Sequence, residues 1–213
     1  MTREEILDRY RRLRAISTRH HSAALEFLSR PAILEHAKRL GLAAGGMLVA
    51  DSEEEMTLVF DLALYTAKDG RSRALDRYAR AAPLAPGSDE GRVLEAMRHA
   101  RFSVWRIHHR HEIAGLIVAD VLREVEAWVV DENLEASGPE GLPFAGRVCE
   151  PDRFAMTCGV IVPVDRDLME EVALDMLAWR RGDPEHVAQD PRFATAIYRA
   201  AIDAGIMNRV AYE

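Results

Sequence analysis

The spacing of apolar residues changes twice along this chain of 213 residues, and that change constrains the fold more than any other feature. From Thr2 to about Ala100, apolar residues recur every three or four positions, which is the period of helices that face a core. Between Phe102 and Val164 they form short β-branched and aromatic runs that Gly and Pro interrupt. After Asp165 the helical spacing returns. The pattern predicts an α+β protein with an N-terminal helical subdomain, a small antiparallel sheet or barrel in the centre, and two C-terminal helices.

Capping residues and prolines divide the flanking segments into helices. Thr2 and Glu5 form a capping box, and the helix that follows is expected to end near Ser29, because Pro31 disfavours helical geometry in the residue before it. Further helices are predicted over residues 31–40, 53–68, 71–82, 89–100, 165–181 and 191–205. The Pro-containing connection at 83–88 is too short to separate independent domains. We therefore expect one compact domain over 1–213, with a helical part (1–100), a β-rich part (101–164) and C-terminal helices (165–213).

The segment 116–131 fits two structures. Its apolar positions suit an amphipathic helix, whereas its many valines and isoleucines favour a pleated strand surface. We favour a hairpin that turns near 122–124, because the neighbouring segments are short and strand-like. Residues 144–149 and 154–162 are predicted to form a further antiparallel pair around Pro151.

Composition excludes several classes of protein. The formal net charge of −7 opposes general affinity for nucleic acid. No window approaches the roughly 18 uncharged apolar residues that cross a bilayer, so we expect no membrane segment. Two cysteines are too few for a disulfide scaffold. The N-terminus is acidic and does not have the apolar run of a secretory signal. Both observations predict a reducing cytoplasm. Heavy use of Arg and Ala, with lysine only at positions 38 and 68, predicts a bacterial origin.

Charge is distributed unevenly along the chain. Residues 1–40 hold nine basic against five acidic side chains, whereas residues 112–140 hold eight acidic side chains against Arg123 alone. Segments of opposite charge attract within one molecule or between two copies. Packing of the two segments within one molecule is the simpler outcome. If they attract each other between copies, we expect a homo-oligomer.

Two histidines and two cysteines are the candidate metal ligands. His109 and His111 share one face of an extended strand, as the ligands of many β-barrel metal enzymes do. If a turn near Pro151 brings Cys149 and Cys158 together, the four side chains supply the donor set of a tetrahedral zinc site. The alternatives are a polar strand end for the histidines and two inert, buried thiols in a β core, which we favour.

The first predicted helix is strongly basic, and its basic side chains are Arg9, Arg11, Arg12, Arg14 and Arg19 with His20 and His21. Such a stripe suits contact with phosphate or with an acidic partner. Helical geometry spreads these residues around the circumference, which favours a solvated face or an internal ion-pair network.

Catalytic motifs are missing from the sequence, since it contains no Gly-x-Ser-x-Gly, no His-Glu-x-x-His and no phosphate loop ending in Gly-Lys-Ser/Thr. The favoured prediction is a non-catalytic bacterial cytoplasmic binding or regulatory protein that self-associates. The first alternative is a metal-dependent enzyme or metal-binding module that uses His109 and His111. The second is nucleic-acid binding through the basic first helix. The sequence does not indicate which small molecule is bound.

Overall fold

A computed structural model describes residues 1–67, 70–85, 87–175, 187 and 190–206 of the chain. Helices precede and follow a five-stranded antiparallel sheet, and a two-stranded sheet lies among the first helices. The α+β prediction, with helices at both ends and a β-rich centre, is therefore confirmed.

The N-terminal part contains five helices: α1 (Arg3–Leu25), α2 (Arg30–Arg39), α3 (Glu53–Tyr65), α4 (Ala74–Ala81) and α5 (Asp89–Arg98). The capping box is present, because the Thr2 hydroxyl accepts from the Glu5 amide and the Glu5 carboxylate accepts from the Thr2 amide. Helix α1 ends at Leu25, earlier than predicted. Ser29 instead caps α2 in an extended conformation, and its hydroxyl accepts from the Ala32 amide. Between α2 and α3, strands β1 (Ala43–Ala44) and β2 (Met47–Leu48) form a small hairpin.

The central sheet has the strand order β5-β4-β3-β6-β7, formed by β3 (Arg101–Arg110), β4 (Leu116–Asp120), β5 (Val125–Val129), β6 (Pro143–Cys149) and β7 (Met156–Pro163). Segment 116–131 is a hairpin, as predicted, with β4 and β5 paired from Leu116 opposite Val129 to Asp120 opposite Val125. Asp120 stabilises the turn, since its Oδ1 accepts from the amides of Leu122 and Arg123 at 3.0 and 3.2 Å. The β-branched residues thus prevail over the helical spacing.

The sheet curls until its two edges touch at one point, but it does not close into a barrel. The Val130 amide donates to the Ala155 carbonyl at 2.9 Å, and the Ala155 amide donates to the Trp128 carbonyl at 2.8 Å. Val129 and Ala155 form an isolated bridge at this contact. Apart from it, the edge strands β5 and β7 are not paired with each other among the described residues. Helix α6 (Glu132–Ser137), which the sequence patterns did not predict, follows β5.

Two further helices are described after the sheet. Helix α7 (Arg166–Asp175) begins beyond Asp165, and α8 (Pro191–Asp203) begins beyond Asp190. Each of these aspartates accepts a hydrogen bond from a first-turn amide at 2.8 Å, as the sequence predicts. The predicted continuation of α7 over 176–181 lies outside the described residues. Within the described part of the chain, no helix has both the length and the apolar character to cross a membrane.

The core is divided by the two faces of the sheet. Alternate residues of β3, Phe102 and Val104, pack against α2, α3 and α8. The intervening residues Trp105 and Ile107 pack inside the curl of the sheet, together with Leu134 of α6. A third cluster joins α1, α4 and α5 to β7. The helix-facing side of β6 and β7 therefore lies where the first and third clusters meet.

Candidate functional site

A buried ion pair joins α3 to β6 on this helix-facing side. The Arg147 Nε donates to Asp61 Oδ2 at 3.1 Å, and the side chains of Arg147 and Asp61 are only 7% and 2% exposed. The Tyr198 hydroxyl of α8 donates to the same carboxylate oxygen at 2.8 Å. A buried charged pair is stable only with such compensating partners, so three separate elements are tied together at this point.

Two aromatic rings hold the Arg147 guanidinium in place. Its central carbon lies 4.5 Å from the centre of the Tyr65 ring and 5.2 Å from that of Phe102, within the range of cation–π attraction. Burial opposes the charge of Arg147, but the Asp61 carboxylate together with Tyr198, Tyr65 and Cys158 outweighs this effect, and the pKa of Arg147 is raised. Arg147 is therefore a fixed positive charge inside the protein.

The Tyr65 hydroxyl extends the polar cluster towards α1 and β7. It lies 3.5 Å from Cys158 Sγ and 2.8 Å from Nε2 of His21. Hydrogen bonds from the Cys149 thiol and the Tyr65 hydroxyl lower the pKa of Cys158, whereas the hydrogen bond to Cys158 and burial raise that of Cys149. Burial lowers the pKa of His21, so this ring stays neutral near pH 7. The cluster thus contains one fixed ion pair and several polarisable neutral groups.

Arg147 borders a cavity of about 400 Å³, named here the arginine cavity. Its charged lining residues are Arg73, Arg101, Arg123, Arg147 and Asp190. The Nη2 atom of Arg147 is buried and has no hydrogen-bond partner among the residues that the structure describes. Buried guanidinium donors are almost always satisfied, so Arg147 is unusual in having one donor without an acceptor among the described residues.

The other arginines of the arginine cavity are held by acidic side chains. The ion pairs are Arg73 with Asp76 at 2.7 Å, Arg101 with Glu150 at 2.7 Å and Arg123 with Asp120 at 2.8 Å. Of the described lining residues, Asp190 alone is acidic. The cavity lining itself therefore has four guanidinium groups against one carboxylate, and the acidic partners of these arginines lie outside that lining.

A second cavity borders the opposite member of the ion pair. Asp61 and Gly159 line a space of about 310 Å³ beside α1, and Asp61 Oδ1 is buried without a described partner. Gly159 has a φ of +94°, and a Cβ placed on it would lie 2.3 Å from Asp61 Oδ1. Only glycine fits this position, so β7 can approach the carboxylate closely.

The predicted metal ligands fall into two separate pairs. Cys149 and Cys158 are buried on the adjacent strands β6 and β7, close enough to share a hydrogen bond. Arg101, at the start of β3, pairs with Val148, so the two cysteines lie beside the start of β3. His109 lies eight residues after Arg101, near the other end of the same strand. At roughly 3.3 Å per residue, the two pairs are about 25 Å apart.

The histidine pair lies at the surface end of β3. His109 is exposed, and His111 stacks on Trp128 with ring centres 4.0 Å apart. The Nδ1 of His111 accepts from the Ile113 amide at 3.2 Å. No group of three or more His, Cys, Asp and Glu side chains in the described ranges is arranged to hold a metal. Metal binding by these residues stays a prediction.

The arginines of α1 form ion pairs across the surface. Arg9 contacts Asp89 at 2.6 Å and Asp152 at 2.7 Å, and Arg11 contacts Glu132 at 2.7 Å. Arg12 pairs with Asp89 and Arg19 with Glu90, while Arg14 donates to the Thr157 carbonyl. The internal network favoured from the sequence is present, and nucleic-acid binding through this helix stays untested.

Sequence analysis did not identify Asp61, Arg147 or Tyr198 as site residues. A usable signal existed for two of them. Asp61 is the single charged residue in the apolar run 56–65, and Arg147 is the single charged residue of strand β6. A charge inside an apolar element is rarely buried without a partner, so each residue predicted a hidden polar contact. Tyr198 carried no comparable signal in its helix.

The fold and the site define a helix-flanked antiparallel α+β protein with a buried Asp–Arg pair between two cavities. The chain belongs to a family of unknown function, DUF7986, whose sequence profile matches residues 4–205. No curated protein and no solved structure matches the chain.

Proposed function

We propose that this is a non-catalytic binding or regulatory protein whose ligand is a small organic anion held by Arg147 in the arginine cavity. One observation carries the proposal: Arg147 borders this cavity, and its buried Nη2 has no partner within the described part of the chain. Leaving a buried donor unsatisfied costs roughly 1–3 kcal/mol, and more for a charged group. A ligand carboxylate or phosphate oxygen that accepts from Nη2 recovers that energy and becomes the preferred occupant.

Rigidity and charge support the same ligand class. Asp61, Tyr65 and Phe102 already hold the guanidinium, so little side-chain entropy is lost when a ligand binds. The volume of about 400 Å³ is within the range of small-molecule sites. Charge-assisted bonds from arginine to an oxyanion are about twice as strong as neutral ones, and three further arginines surround the space.

The proposal includes the setting expected from the sequence, a bacterial cytoplasmic protein that self-associates. Two buried, unpaired thiols support a reducing compartment. The exposed apolar residues Met47 and Val49, which are 63% and 50% exposed beside the small hairpin, support contact between copies. Light scattering coupled to size exclusion tests this point, and a monomer at all accessible concentrations contradicts it.

Calorimetric titration of the full chain with citrate and with glycerol 3-phosphate tests the ligand class. The two probes share oxyanion chemistry and distinguish a carboxylate from a phosphate ligand. Arg147→Lys keeps the charge but loses the guanidinium fork, so we expect at least tenfold weaker binding. Arg101→Gln removes a partly exposed charge and is expected to weaken binding about three- to tenfold with little effect on stability. Arg166→Gln, on exposed α7, is the control that leaves binding unchanged.

Two results contradict the proposal. One is binding that neither Arg147→Lys nor Arg101→Gln weakens, because the ligand then lies elsewhere. The other is the failure of both anions to bind, while uncharged compounds of similar size do bind. Since Arg147→Lys is the variant at greater risk of unfolding, Arg101→Gln keeps the test decisive.

A further inference from the structure

A cavity of about 470 Å³ lies apart from Arg147, between α2, the end of α3 and α4. The wall of this α2–α4 cavity is mixed. Its apolar residues are Phe27, Leu28, Pro31, Ala32, Ala63, Ala67 and Ala74, and its polar residues are Ser29, Glu35, His36, Arg39, Thr66, Arg71, Ser72 and Arg77. His36 is only 7% exposed. The Nδ1 atom of His36 is buried without a hydrogen-bond partner in the ranges described.

The protonation of the His36 ring follows from its neighbours. The Thr66 hydroxyl donates its single proton to the Leu62 carbonyl at 2.6 Å. Thr66 Oγ1 lies 3.5 Å from Nε2 of His36 and can therefore only accept from it. The proton of the neutral ring is consequently on Nε2, and Nδ1 carries a lone pair.

The ring is also neutral at ordinary pH. Burial, reinforced by the nearby Arg39, lowers the pKa of His36 to about 4. The neutral His36 ring therefore contributes a hydrogen-bond acceptor, and not a positive charge, to the wall of the α2–α4 cavity. A buried acceptor without a donor is as unfavourable as a buried donor without an acceptor.

Three charged side chains of the cavity wall have partners, and the fourth, Arg71, is exposed to solvent. Arg77 donates to the backbone carbonyls of Ser72 and Phe27, and Arg39 pairs with Glu35 at 2.7 Å. Among the buried side-chain nitrogen and oxygen atoms of the wall residues, the one without a partner in the described structure is Nδ1 of His36.

We propose that the α2–α4 cavity is a second binding site, which takes a small uncharged molecule that packs on the apolar part of the wall and has an O–H or N–H group that donates to His36 Nδ1. Apolar surface combined with a few placed polar groups is the usual composition of a small-molecule site. The inference does not rest on the anion proposed for the arginine cavity, because its ligand class is uncharged and its binding atom is different.

A matched pair of probes tests the donor requirement. Indole carries one N–H donor, and 1-methylindole has nearly the same ring surface without that donor. We expect indole to bind about tenfold more tightly than 1-methylindole, the usual contribution of one buried hydrogen bond. In ¹⁵N-labelled full-length protein, the His36 Nδ1 resonance should move towards the position of a hydrogen-bonded nitrogen with indole alone. The exposed His99 ring is an internal control that should not respond.

His36→Phe removes the acceptor and retains a buried ring, so both probes should then bind equally. If this variant does not fold, His36→Gln provides the comparison, because its amide oxygen can accept from indole and retain part of the preference. Three results overturn the proposal: Nδ1 protonated in the ligand-free protein, equal affinity of the wild-type chain for both probes, or binding of neither. None of these results bears on the citrate and glycerol 3-phosphate titrations.

Discussion

Replacing Asp61 with asparagine is expected to destabilise the protein by about 4 kcal/mol, because Arg147 then remains charged and buried without its counter-ion. The two side chains are 2% and 7% exposed, so water does not substitute for the lost partner. Breaking a buried pair on one side typically costs about 3–5 kcal/mol. Since small domains unfold with only about 5–15 kcal/mol, the loss is readily measured.

The reverse substitution, Arg147→Met, removes the guanidinium and leaves the Asp61 carboxylate buried without its counter-ion. At about pH 7 the isolated Asp61 carboxylate is unfavourable and the cost is again several kcal/mol. This cost has the same origin as that of Asp61→Asn, a buried charge left without its counter-ion.

Urea denaturation of both single variants and of the double variant provides the measurement. The double variant buries no charge at this position. We therefore expect its loss of stability to be about 2–3 kcal/mol smaller than the sum of the losses of the two single variants. Glu170→Gln, which breaks the exposed pair with Arg166, is the matched control and should cost less than about 0.5 kcal/mol. Single losses below about 1 kcal/mol that simply add would refute the reasoning, because they would show that the pair is solvated.

Three further predictions concern pH, backbone strain and thiol access. The pKa of His36 is lowered to about 4 from 6.5, so the stability that its neutral ring contributes is complete above pH 6.5 and is lost as the pH falls towards 4. The loss amounts to up to about 3 kcal/mol. In urea denaturation, His36→Gln should therefore lose less stability on acidification than the wild type does. Gly159→Ala should lower the free energy of unfolding by about 3 kcal/mol, because alanine is strained at this positive φ and its Cβ would clash with Asp61. Gly141 has a similar φ in open space, so Gly141→Ala should cost only the backbone strain of about 1–2 kcal/mol. Equal losses of stability in thermal unfolding would exclude the clash. Both thiols are at most 2% exposed, so we expect Ellman's reagent to label them only as fast as the protein unfolds, and rapid labelling of the native state would contradict their burial.

Local chemistry made much of the fold predictable. The caps at Thr2, Asp165 and Asp190 each satisfy amides of their own first turn, so their effect depends on neighbouring residues alone. The hairpin of 116–131 was the difficult case, since the helical spacing of its apolar residues competed with its β-branched side chains. Pairing with β3 and the bonds that Asp120 makes to the turn resolve that competition.

The candidate site was largely beyond prediction from the sequence. Asp61 and Arg147 are 86 positions apart, and Asp61 and Tyr198 are 137 positions apart. Asp61 and Arg147 were each visible as a charge in an apolar element, but a pairing over such separations depends on how α3 and α8 pack on the sheet. His109 and Cys149 show the same dependence on packing, because their shared metal-binding chemistry does not reveal that strand register places them at opposite ends of the sheet.

The sequence by itself determined where helices and strands begin and that β structure occupies the centre, because capping, turn chemistry and apolar period act over a few residues. Tertiary structure alone decided that Asp61, Arg147 and Tyr198 meet, and that two cavities border their contact. The physical reason is that a buried charge requires partners but does not specify which distant element supplies them; only the packing of the helices on the sheet makes that choice.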